Sequence, residues 1–166
     1  MISQFFTIIM ANVSFILLAT SILLGAITGL AARNKEVMVT AMIRYMMLLA
    51  VGATSLWFFL NLILFGSHVA VESGWPASPF QAELAMAILG LGFAGFVGFK
   101  QKFDFWIAVD IIWTTFLWGA ALVHLYQMIV HGNFAPGNVG MVLYTDILSP
   151  FLLNFLLYYY WRYYRD

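Results

Sequence analysis

The sequence predicts an all-α, polytopic membrane protein: a single bundle of five transmembrane helices, with the N-terminus outside and the C-terminus inside. Three observations lead there. The 166 residues are 64% hydrophobic and only 8% charged, against about 25% charged residues in soluble domains. Apolar runs of about 20 residues or more recur along the chain, the length a helix needs to cross a hydrocarbon core about 30 Å thick. The connector lysines and arginines fall in alternate connectors, so that five crossings put every basic loop on one side, which the positive-inside rule makes cytoplasmic. Four crossings would put basic segments on opposite sides.

Residues 1–166 are read as one domain, because the chain has no room for a second bundle. The first span, about 5–31, ends at "AARNKE" and carries Ser21, Gly25 and Gly29 at four-residue spacing, a stripe on which another helix can pack closely. Its start, "MISQFFTIIM", lacks a basic n-region, so it is expected to stay as a helix and not to be removed as a signal peptide. The second span, about 38–66, holds Arg44 some six residues in. The third, about 81–99, is the shortest and carries Gly90, Ala94 and Gly98 as a second packing stripe. The fourth, about 105–130, has Asp110 at a depth matching Arg44. An ion pair between Arg44 and Asp110 is expected, since a lone charge in lipid costs about 2.5–3.5 kcal/mol or more. The fifth, about 141–161, contains Pro150, which should kink it. It ends in "YYYWRYYRD", an aromatic belt with basic anchors.

Composition also excludes functions. A net charge of zero with no basic cluster excludes nucleic acid as a partner. The absence of cysteine excludes thiol catalysis, cysteine-ligated metal and disulfides. The expected partner is the lipid bilayer; no motif requires a cofactor, and association of copies into a homo-oligomer stays open.

The polar residues are unevenly placed. Between spans two and three lies "VESGWPASPFQAE", where Pro76 holds Trp75 extended and Pro79 suits the first turn of a helix. Span four ends in "HLYQMIVH", the next connector reads "HGNFAPGNVG", and span five opens with "YTD". All of these belong to the outer side. Asn61, Trp75, Gln81, Glu83, His124, Gln127, Asn138, Tyr144 and Asp146 are therefore the candidates for an outward-facing polar pocket that binds or transports a small ligand. Asn61 and His68, seven apart, would share one helical face. Glu83, His124 and Asp146 could together ligate a divalent metal that activates water, which would make the protein a membrane-embedded hydrolase. Haem between His68 and His131 is a further alternative. So is a hydrogen-bond network that only locks the two outer loops, as in a structural or accessory subunit. A proton-carrying carboxylate–histidine set would need a continuation inward, for which the midplane offers Asn154 and a few Ser or Thr.

The strings "GWPASPFQAE", "GAALVHLYQ", "GNFAPGNVG" and "YTDILSP" resemble those of an uncharacterised family of small bacterial polytopic membrane proteins, over roughly residues 74–150. That resemblance implies a bacterial cytoplasmic (inner) membrane, multi-pass, and no particular activity. Size and five spans are also similar to the translocator (tryptophan-rich sensory) proteins. Their aromatic and asparagine motifs are not matched, so their porphyrin or sterol binding is not carried over.

Overall fold

The computed structural model describes residues 12–165; the predicted start of span one, residues 5–11, lies outside the described residues. Five helices are long and apolar enough to cross a membrane. They are α1 (Val13–Ala32), α2 (Lys35–Leu64), α4 (Phe80–Gly98), α5 (Phe103–His131) and α7 (Met141–Tyr163), with two short helices between them, α3 (Gly66–Ser73) and α6 (Pro136–Val139). No strand occurs among the described residues.

Local chemistry sets the boundaries. Arg33 closes α1 in the left-handed conformation at φ 51°. The Asn34 side chain then accepts from the Glu36 and Val37 amides, so α2 starts three residues earlier than expected. The hinge is less irregular than its composition predicts. Helix α2 breaks at Phe65, α3 runs for two more turns, and Gly74 ends it at φ 67°. The break puts Asn61 and His68 on different helices, so they do not share a face. Helix α4 opens on a reciprocal cap in which Phe80 N donates to Ser78 Oγ and Ser78 N donates to Gln81 Oε1.

Neighbouring helices run antiparallel. In α1, Gly25 and Gly29 lie against Met42 and Met38 of α2, so the first predicted stripe packs as expected. The second does not. Gly90 is exposed with nothing within 4 Å of where its Cβ would be, and the packing face consists of Gly92, Gly95 and Gly98. A Cβ on Gly95 would lie 2.5 Å from the Gly52 nitrogen, so α4 touches the backbone of α2. At that point α2 is wound as a π-helix over Met46–Ala53. The wider turn buries Met46, Met47, Ala50, Val51 and Gly52, and such segments are found mainly where a helix has a special local task.

The bundle core joins Ile43, Met46, Met47 and Val51 of α2 to Trp106 and Trp113 of α5 and to Leu153 and Leu157 of α7. Trp106 Nε1 donates to Gly98 O across the α4–α5 turn. Helices α5 and α7 meet again at their far ends, where Arg165 contacts Asp104 at 2.9 Å and its guanidinium stands 4.6 Å from the Phe103 ring centre. Both partners are exposed, so the pair contributes little stability. It does place the start of α5 and the end of α7 together. Alternation then puts Arg33, Lys35, Lys100, Lys102, Arg162 and Arg165 at one end, hereafter the basic end; the two uncharged connectors form the hinge end.

Candidate functional site: a buried histidine–aspartate pair

The two connectors at the hinge end touch. Asn133 Nδ2 donates to Ser73 O at 2.8 Å, and the Asn133 side-chain oxygen accepts from the Ala135 amide. Gly137 has no Cβ because one would stand 2.8 Å from Glu72 O. Asparagine and glycine in this loop are thus there for close backbone approach and for hydrogen bonding. The loop drives Asn138 into the bundle, where it is fully buried.

Asn138 holds His124. Its Nδ2 donates to His124 O at 3.2 Å and to Asn133 O at 2.9 Å, and its Oδ1 lies 2.9 Å from His124 Nδ1. The two carbonyls require the amide NH2 on their side, so Oδ1 faces the ring and His124 Nδ1 must be the donor. The other ring nitrogen, Nε2, points at Asp146 Oδ2 at 3.8 Å, with only 9% and 4% of the two side chains exposed. A bare imidazole nitrogen and a carboxylate both offer lone pairs. Buried together, they are compatible when one proton resides on either of them. Trp75 lies over the imidazole with centroids 5.3 Å apart and 26° between planes, and its buried Nε1 has no hydrogen-bond partner among the described residues.

Asp146 also borders a small cavity with Thr145, Ser149, Thr54 and Ser14, of which about 10 Å³ is open to the centre of a water molecule. That volume suits a single water. The Trp75 indole stacked on His124 and the fully buried Asn138 occupy the space immediately around the imidazole.

The other candidates go elsewhere. Glu83 is exposed in the first turn of α4 and makes no hydrogen bond or ion pair with the described residues. Glu83, His124 and Asp146 do not assemble, and no group of three His, Asp or Glu able to hold a metal occurs among the described residues. The physical reason is helix phase: Ala85 and Ile88 face inward on α4, which turns residue 83 out. Gln81 caps α4 and donates to Gly66 O, tying the hinge to α3. Asn61 donates to Trp57 O of its own helix. Gln127 is half-buried three residues from His124, and Tyr144 is exposed. His68 pairs with Glu72 in the open and His131 packs on Tyr126, so neither faces the other.

The Arg44–Asp110 pair is not formed. Asp110 is 4% exposed and accepts from Thr114 Oγ1 at 3.1 Å. Arg44 is exposed and lines a groove of about 400 Å³ with Glu36, Thr40, Tyr45 and Phe99. Equal depth did not bring them together, because Arg44 follows the buried Ile43 and points off the core face of α2.

Sequence reasoning missed Thr114 and Ser149, which make two of the polar contacts between α5 and α7, to Asn154 and Trp113. A signal was available: Asp110 and Thr114 are four apart, as helical neighbours are.

A model described as a family of unknown function (DUF6790) matches residues 11–166. Neither the curated proteins nor the solved structures provide a match.

Proposed function

The chain belongs to that family of unknown function, and we propose from its geometry that it is a multi-pass membrane protein that binds a proton at the His124–Asp146 pair. The small ligand expected at the hinge end is, on this reading, a proton. The observation that carries it is the 3.8 Å approach of His124 Nε2 to Asp146 Oδ2 in a buried setting, with Nδ1 already committed to Asn138. Ionisable groups within a membrane span are expensive and generally functional. Asp146 is the titratable partner facing the imidazole from α7; Asn138 of α6 and Trp75 of the hinge face it as neutral groups. The whole chain is read as one bundle in a bacterial cytoplasmic membrane, with the basic end in the cytoplasm and the hinge end outside.

Trp75 supplies the readout. A protonated imidazole stacked on an indole interacts with its π-system and alters its emission. Tryptophan emission of the purified protein is expected to change in a step with pH, and the step is expected to vanish in both H124Q and W75F. Emission that is flat with pH in the wild type, or a step that survives H124Q, rules the reading out.

Orientation has its own test, made simple by the lack of native cysteine. Ala77→Cys and Phe134→Cys are expected to react with a membrane-impermeant maleimide from outside intact cells, and Lys100→Cys only after lysis. The reverse pattern inverts the topology.

A further inference from the structure

Helices α5 and α7 carry polar side chains well beyond the His124–Asp146 pair. One turn along α7 from Asp146, the buried Ser149 accepts from Trp113 Nε1 at 3.4 Å and lines the water-sized cavity. Pro150 follows; it has no N–H, so the Asp146 carbonyl loses its helical donor next to that cavity. One turn further, Asn154 Nδ2 donates to Thr114 Oγ1 at 2.7 Å and to Pro150 O at 2.9 Å. Thr114 Oγ1 in turn donates to Asp110 Oδ1. His124 and Asp110 are 14 residues apart on α5, about 21 Å along its axis, most of a hydrocarbon core of about 30 Å.

Packing does not call for such groups. Small and apolar residues would fill the α5–α7 seam without the cost of burying a carboxylate. Asp110 has no cationic partner among the described residues, and its hydrogen bond comes from a hydroxyl that also accepts. Hydroxyls that accept and donate at once, carboxylates and water are the components through which a proton can be handed on. Asn154 differs from these. Its amide donates to Thr114 Oγ1 and Pro150 O and cannot pass a proton on as a hydroxyl does.

We propose that the α5–α7 seam is a transmembrane proton path gated by Asn154, resting on the reading of His124–Asp146 as a proton-binding site. The pair takes up a proton at the hinge end, and Asp146 releases it to water in the cavity beside Ser149. When the Asn154 side chain swings aside, water links the cavity to Thr114. Thr114 then accepts a proton on Oγ1 as it gives its own to Asp110. Asp110 releases it toward the basic end, and each group returns to its starting state with one proton moved and no bond to carbon changed.

The test is proton flux in proteoliposomes made from the full chain, driven by a potassium diffusion potential and read with an entrapped pH dye. Wild-type flux is expected at least tenfold above that of protein-free vesicles. D110N and N154L are expected to lose it at least tenfold, while D110E retains it. The pH step in Trp75 emission should persist in D110N and N154L, which shows that the variants fold and that the hinge-end site still loads. Wild-type flux equal to that of empty vesicles, or full flux in D110N and N154L, overturns the path while leaving the proton-binding site standing. Loss of the wild-type emission step removes both.

Discussion

Replacing Asn138 with leucine is expected to destabilise the protein by about 3–5 kcal/mol, a large part of the 5–15 kcal/mol that typically holds a domain folded. Leucine is close in size, so the loss is one of hydrogen bonding. The substitution strands His124 Nδ1 and the Asn133 carbonyl and removes the second bond to the His124 carbonyl, all of which Asn138 makes from a fully buried position. An unsatisfied buried group costs about 1–3 kcal/mol. Because Asn138 also anchors the loop that donates to Ser73, the effect should spread to the hinge. Chemical unfolding in detergent, followed by far-UV circular dichroism, measures the loss. Hydrogen exchange should rise in residues 70–75 and 132–140 before the long helices exchange. A loss under 1 kcal/mol would mean that water replaces all three bonds and that the loop is held by something else.

Gly95→Val is expected to cost about 3 kcal/mol or more, at or above the upper end for overpacking, because what lies in the way is backbone. The Cβ would meet Gly52 N at 2.5 Å, Met47 O at 2.7 Å and Gly52 Cα at 2.8 Å. A flexible side chain could rotate away; the π-helix of α2 cannot without giving up its own bonds. The matched control is Gly90→Val, one turn and a half away in the same helix with nothing within 4 Å. It should leave stability within about 0.5 kcal/mol, as exposed substitutions usually do. Equal midpoints for the two variants in thermal unfolding would contradict the packing described for α4.

That pair of glycines shows where sequence reasoning stops. Gly90, Ala94 and Gly98 are as regular a stripe as Ser21, Gly25 and Gly29, yet only the latter packs throughout as spaced. Glycine is frequent in membrane helices, and a helix that is apolar on every side carries no pattern telling lipid from protein. Phase must come from the partner, and for α4 the partner is a π-helical segment that no local rule announces. The same loss of phase misplaced Glu83, turned outward, and Arg44, turned into a groove and away from Asp110. His124, Asn138, Trp75 and Asp146 do meet, because they sit within two turns of connectors that must share one end of an alternating bundle.

Hydrophobicity, span length and the placement of basic residues determine without any coordinates that this chain forms five apolar helices and at which level its polar groups lie. Level is a one-dimensional property, set by how far along a helix of 1.5 Å per residue a side chain stands. Azimuth is the other coordinate, and only the tertiary structure decided it: which side chains at a level face one another depends on helix rotation and close backbone contact. A metal trio on paper is therefore a histidine–aspartate pair in the fold, continued by a seam of Ser149, Asn154, Thr114 and Asp110 that spacing alone could not bring together.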